Sequence, residues 1–195
     1  MQIDARGKAC PQPVILAKKA LDGGNQDITV LVDNRAAVEN LTRLGRSMEV
    51  AVESGDAEGG FYVHFTGEAK HGETPAAARP AAGNGYAVFI GKDHVGGGDF
   101  TLGYNLLKMA IYTLAQSDDV PAYVLFMNGG VRLPAGDEAQ VIENLQALID
   151  KGSQVLVCGT CLNYYEIADK LKIGVASNMY DIMSAMQRAD KVITL

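Results

Sequence analysis

His71-Gly72-Glu73-Thr74-Pro75-Ala76-Ala77-Ala78-Arg79-Pro80 is the stretch that divides this chain. From Glu68 to Asn84 the composition shifts to Ala, Pro, Gly and small polar residues, and hydrophobic periodicity of either the strand or the helix kind is lost. Such a segment reads as a flexible linker. It sets a first domain over residues 1–67, the linker over 68–84 and a second domain over 85–195. A chain of 195 residues has the length for two domains with separate cores.

Downstream of the linker, Tyr86 to Ile90, Ala122 to Met127 and Gln154 to Val157 are continuous apolar runs of strand length. Helical patterns follow them at Asp99 to Gln116, Asp137 to Lys151 and Asn163 to Leu171. A Val175-Ala176 piece, a helix near Met179 to Arg188 and a strand from Lys191 to Leu195 complete the series. Strands apolar along their whole length need cover on both faces, which predicts a three-layer αβα domain with a mainly parallel sheet. Upstream, Ile3 marks a short strand and Pro11 to Leu21 a helix with Val14, Leu16, Ala17, Ala20 and Leu21 on one face. Ile28 to Val32 is a β-branched strand, and Asp33 or Asn34 caps a second helix whose stripe is Ala37, Val38, Leu41, Leu44 and Met48. Strands at Glu49 to Glu53 and Gly60 to Thr66 follow, joined by the turn-rich link 54–59. The order βαβαββ predicts a two-layer α/β sandwich, so both halves are α/β and neither repeats the other.

Composition narrows the function. With 48% hydrophobic and 21% charged residues the chain is an ordinary folded protein. A net charge of -6 with no basic patch argues against nucleic acid as a partner. Met1 leads into polar residues without a basic n-region or an apolar h-region, so no secretory signal is expected. The most apolar helix pattern, Phe100 to Ala115, is interrupted by Asn105 and Lys108 and is too short for a bilayer, so no membrane association is expected. A cytoplasmic protein follows. Three cysteines, an odd number with two close together, fit reduced or catalytic thiols better than a disulfide framework.

Two stretches carry sulfur chemistry. In Asp4-Ala5-Arg6-Gly7-Lys8-Ala9-Cys10-Pro11-Gln12-Pro13 a cysteine precedes a proline-started helix. Cys10 is expected at the cap, where the positive helix end and a free N–H, chiefly that of Gln12, favour a thiolate. A small hydrophobe that merely caps the helix is the alternative. Cys158-Gly159-Thr160-Cys161 follows the apolar run Val155-Leu156-Val157 and precedes a helix expected to be capped by Asn163 with Glu166 three residues on. Ligand sites collect at the carboxyl edge of parallel sheets, and Cys161 just ahead of a helix reads as a reactive thiol. A redox or sulfur-exchange pair stands against two small buried residues at a strand end. Zinc would need two further ligands, and His64, His71 and His94 lie in unrelated contexts, so no metal is expected. The loop Gly91-Lys92-Asp93-His94-Val95-Gly96-Gly97-Gly98-Asp99 lacks the order of a phosphate loop, and Asp99 reads as a helix cap in tight loop geometry, with an anion or small-ligand loop as the alternative. His94 shares the sheet edge with the CxxC if the strand pattern is right. His64 is a strand residue on the solvent face, and His71 lies in the linker.

Asp4, Gly7, Cys10, Pro11 and Pro13 reproduce the D-x-x-G-x-x-C-P-x-P pattern, and the first part resembles the TusA/SirA family of sulfur carriers. The second part looks like a DsrE-type domain. Together with Asn128-Gly129-Gly130-Val131-Arg132-Leu133, Cys158 to Leu162 and Asn178-Met179-Tyr180-Asp181-Ile182, the chain resembles the YedF proteins associated with selenium metabolism. The resemblance implies a carrier that holds a persulfide-type sulfur or selenium on Cys10, with relay to Cys158 or Cys161. It implies donor and acceptor proteins as partners, self-association through the DsrE-like part and no cofactor. A thiol-disulfide oxidoreductase centred on the CxxC, and a non-catalytic sensor of a sulfur or selenium metabolite, are the competing classes.

Overall fold

Ile28, Val30 and Val32 alternate with Thr29 and Leu31, and a period of two places the three β-branched side chains on one face of a strand. All three are fully buried in the computed structural model, which describes residues 1–9, 11–69 and 85–195. Cys10 and residues 70–84, which make up most of the expected linker and include His71, lie outside the described residues. The rest falls into two units, each with its own core.

The first unit runs β1 (Gln2–Asp4), α1 (Gln12–Asp22), β2 (Asp27–Val32), α2 (Arg35–Ser47), β3 (Ala51–Ala57) and β4 (Gly60–Thr66). Its sheet has the order β1-β2-β4-β3, with β1 parallel to β2 and the other pairs antiparallel. Ile28 pairs with Phe65 and Val30 with Val63, and Val14, Ala17 and Leu21 of α1 and Leu41 and Leu44 of α2 complete the core. Asn34, one of the two candidate caps, accepts the Ala37 N–H at 2.9 Å. The hairpin differs from expectation. Ala57 pairs with Gly60, so only Glu58-Gly59 turns the chain, and Ser54, Gly55 and Asp56 belong to the ladder opposite Val63, Tyr62 and Phe61. Gly59 at φ +77° and Gly60 at φ +152° allow that reversal, and the pairing overrides the weak strand preference of the Ser-Gly-Asp run.

The second unit runs β5 (Tyr86–Ile90), α3 (Phe100–Gln116), β6 (Tyr123–Phe126), α4 (Ala139–Asp150), β7 (Gln154–Cys158), α5 (Gly159–Tyr164), β8 (Val175–Ser177), α6 (Met179–Arg188) and β9 (Lys191–Thr194). The sheet is parallel throughout, in the order β8-β7-β6-β5-β9. Val124, Leu125 and Phe126 are consecutive and all buried, as a strand covered on both faces requires. Leu107, Ile111 and Ala115 of α3 and Val141, Leu145 and Leu148 of α4 supply helix stripes to that core. Ile90, Phe126 and Val157 lie in register, so the three central strands end level with one another.

Two elements depart from the sequence pattern. Asn128–Arg132, to which the sequence pattern assigns no element, is a turn of 3-10 helix directly after β6. The helix expected over Asn163 to Leu171 instead occupies Gly159–Tyr164, with Cys158 as its cap. It stops because Glu166 takes φ +55°, which lets its N–H reach Asn163 O at 3.1 Å and the Ile167 N–H reach Leu162 O at 3.0 Å. That pair of bonds is a Schellman closure made without glycine. Among the described residues, no helix is long and apolar enough to cross a membrane.

Candidate functional site

In the first unit the approach to Cys10 is held by carboxylates. Gly7 sits at φ +72° and its N–H donates to Asp33 Oδ2 at 2.6 Å. Together with the Asn34 side-chain amide, this bond keeps the Asp33 carboxyl below the usual carboxylate range. Of the two candidate cap residues, Asn34 therefore caps α2 while Asp33 anchors the motif loop. Arg6 donates to both oxygens of Asp4, at 2.9 and 2.7 Å, and holds that carboxyl down at about 2. Arg6 also donates to Glu58 O at 3.1 Å and so ties the motif to the hairpin turn. One expectation is corrected here. The Gln12 N–H donates to Ala9 O at 2.9 Å and is not free, and the helix cap is Pro11.

In the second unit β5, β6 and β7 deliver three connections to one edge of the sheet. Cys158 closes β7 and is 1% exposed, whereas Cys161 is half-buried. Cys161 does not precede its helix but lies inside α5, because the helix starts at once after the strand. Burial, and after it contact with Cys161, pushes the Cys158 thiol up to about 12. Cys161 Sγ accepts the backbone N–H of Asn128 at 3.1 Å, across from the end of β6.

Asn128 carries the site further. Its backbone is left-handed at φ +47°, and its Oδ1 accepts the Tyr165 hydroxyl at 2.9 Å. The Arg132 guanidinium lies 4.4 Å from the centre of the Tyr165 ring. Arg132 Nη1 is 3.5 Å from Asp93 Oδ2, and Asp93 Oδ1 is 2.9 Å from His94 Nδ1. His94 is thus on the same edge as the CxxC and is linked to Cys161 through four intervening residues. The glycine-rich loop serves mainly as loop geometry: Asp99 Oδ1 caps α3 by accepting the Leu102 N–H at 2.8 Å. His64 is a sheet residue whose Nδ1 meets Thr29 Oγ1 at 2.9 Å on the neighbouring strand. Among the described residues, no group of three His, Cys, Asp or Glu side chains is arranged to hold a metal. Sequence reasoning missed Tyr165; it met Asp33 only as a candidate helix cap, Asp93 only inside the glycine-rich loop, and Asn128 and Arg132 only inside a motif. An Asn-Gly pair at a strand end was the available signal for Asn128.

A pH test follows from Cys158. The thiol titrates near 9.0 ordinarily and near 12 in the fold, so between those values the folded state keeps a proton that the unfolded chain releases. The stability that Cys158 contributes is complete below pH 9 and lost as pH rises towards 12. Urea unfolding followed across this range should show a loss of stability that is smaller in Cys158→Ala, the remainder coming from groups such as Tyr86 and Tyr104, whose hydroxyls burial also pushes up.

Comparison with known proteins places both halves. The family model described as sulfurtransferase TusA matches residues 1–66, and that of the DsrE/DsrF-like family matches residues 97–195. A SirA-like protein of Desulfitobacterium hafniense is 40% identical, over 33% of this chain and 92% of that one, with a TM-score of 0.31. The ychN protein of E. coli is 19% identical over 56% of this chain and 98% of its own, with a TM-score of 0.41. A conserved protein of unknown function from Bacteroides thetaiotaomicron is 15% identical over 57% and 96%, with a TM-score of 0.42. No curated protein matches the chain.

Proposed function

Because this chain belongs to the DsrE/DsrF-like family through residues 97–195 and opens with a TusA-type domain over residues 1–66, we propose that it relays chalcogen between thiols, from Cys10 to Cys161. The two domain types together imply a sulfur-relay function. The finer assignment is supported above all by the inequality of the CxxC: Cys161 is accessible and its sulfur accepts an N–H, while Cys158 is buried and held protonated. Only a thiolate attacks a persulfide.

The step balances without an oxidant. The Cys161 thiolate attacks the outer sulfur of a Cys10 persulfide and forms a new S–S bond. The S–S bond at Cys10 breaks, Cys10 leaves as a thiolate, and the outer sulfur keeps its proton. A neutral Cys158 does not attack the product, so the persulfide on Cys161 survives for an acceptor instead of collapsing to a disulfide. That property works against the thiol-disulfide oxidoreductase reading. Selenium follows the same steps as a perselenide, in keeping with the resemblance to the selenium-associated YedF proteins. Donor and acceptor proteins stand on either side of the relay, in the reducing cytoplasm that free thiols suit.

Incubation of the full chain with a persulfide donor, followed by peptide mapping over time, tests the relay. One added sulfur is expected first on Cys10 and then on Cys161, and selenium at the same positions from a selenium donor. A chain that stays unmodified, or that loads Cys161 equally after Cys10→Ser, defeats the proposal.

A further inference from the structure

Asn128 touches the Cys161 sulfur with its backbone and Tyr165 with its side chain. We propose that Asn128 is a positioning residue: its left-handed backbone, locked by the Tyr165 hydroxyl, aims a fixed amide donor at the Cys161 sulfur and holds that sulfur as an anion. The anion is the thiolate that attacks in the transfer step. This inference rests on Cys161 being the receiving thiol.

Residues other than glycine reach positive φ at a steric cost, and asparagine is among those that tolerate it best. The Asn128 N–H, on the peptide unit that follows extended Met127, meets Cys161 Sγ at 3.1 Å, and φ +47° sets the Asn128 side chain and the 3-10 turn relative to that N–H. An amide has no proton to gain or lose near neutral pH, so it is a donor throughout, and it binds a charged sulfur more strongly than a thiol. What keeps the unusual conformation is the side chain. Oδ1 of Asn128 accepts from Tyr165, whose ring is covered by Arg132, and Arg132 is drawn towards Asp93. The Asp93 side chain is only 17% exposed and also meets His94, so the far end of the series is itself fixed. Charged and titratable groups that the chain delivers to this edge include Cys158 on β7, Tyr165 after α5, Arg132 after β6, Lys92, Asp93 and His94 after β5, and Asp181 after β8. Of these, Cys158 is kept neutral by burial.

The decisive measurement is the pH dependence of Cys161 alkylation by iodoacetamide in the full chain, read at the Cys161 peptide. Asn128→Ala strains the backbone, and Tyr165→Phe removes the lock while keeping the ring under Arg132. Each should move the midpoint up by about one pH unit, with roughly tenfold slower alkylation on the acid side. Asn128→Gly adopts the left-handed conformation without a lock and should stay near wild type. On that glycine background Tyr165→Phe should cause no further shift, a rescue that a merely structural role for Tyr165 does not give. Unchanged midpoints in Asn128→Ala and Tyr165→Phe, with circular dichroism showing both folded, overturn the inference. So does an equal Tyr165→Phe shift on both backgrounds. Persulfide mapping of the same proteins separates the two levels: shifted midpoints with no sulfur ever reaching Cys161 would defeat the receiving role while leaving the donor geometry standing.

Discussion

In Cys161→Ala, sulfur loaded on the chain should stop at Cys10, and delivery to an acceptor thiol should fall by at least about a hundredfold, because the attacking atom is gone. Cys158→Ala should behave differently. It should lower stability by about 1 kcal/mol through loss of a buried side chain and leave transfer within about twofold of wild type. The contrast is large because the two thiols, three residues apart in sequence, occupy opposite environments: Cys158 is 1% exposed with its thiol pushed up to about 12, and Cys161 stands at the sheet edge with a donor on its sulfur. Quantitative mass spectrometry of loaded chain and acceptor checks both variants. Equal loss in the two, with both folded, would mean that the pair acts as a disulfide couple and that the relay assignment is wrong.

Gly130→Ala should unfold the C-terminal unit at a markedly lower denaturant concentration. A Cβ at Gly130 would stand 2.2 Å from Ile90 O and 3.0 Å from Ile90 C, and both are backbone atoms that cannot swing aside. The same carbonyl accepts the Met127 N–H at 3.1 Å, so relief of the clash must part the 3-10 turn from the end of β5. Overpacking of this kind costs about 3 kcal/mol. The Asn128 amide would move with the turn, so Cys161 alkylation should change as well. Gly129→Ala is the control. Its Cβ would find nothing nearer than Lys92 Cα at 3.8 Å, which is ordinary contact, and its unfolding midpoint should stay near wild type. Urea titration followed by tyrosine fluorescence distinguishes the two, and similar midpoints for both would show that the turn yields without loss.

The layered order of both units was legible because continuous apolar runs and helical stripes are signals of element length, and packing reinforces them at Val124-Leu125-Phe126 or Leu107, Ile111 and Ala115. Short-range features were read less well. Ser54-Gly55-Asp56 resembles a turn in composition yet pairs as a strand, because the ladder to Phe61-Tyr62-Val63 outweighs local preference. The end of α5 depends on a glutamate in a conformation usually left to glycine, which no composition rule finds. The cysteines of the second unit were visible as a motif, but their unequal roles come from burial and from a donor 33 residues away in sequence. Asp33 and Tyr165 act through such long-range contacts too, and nothing in their own neighbourhood marks them.

The early stop of α5 has a consequence for how this region tolerates change. Between the end of β7 and Glu166 the chain completes a six-residue helix and closes it with two fixed bonds, and Tyr165 meets Asn128 only at that rotation. One residue added or removed there would turn everything beyond it by about 100° about the helix axis. The segment is therefore constrained in length more tightly than in identity: Tyr164, which is 82% exposed and touches the Tyr165 ring edge-on, can be exchanged for another aromatic residue, but its position cannot be skipped.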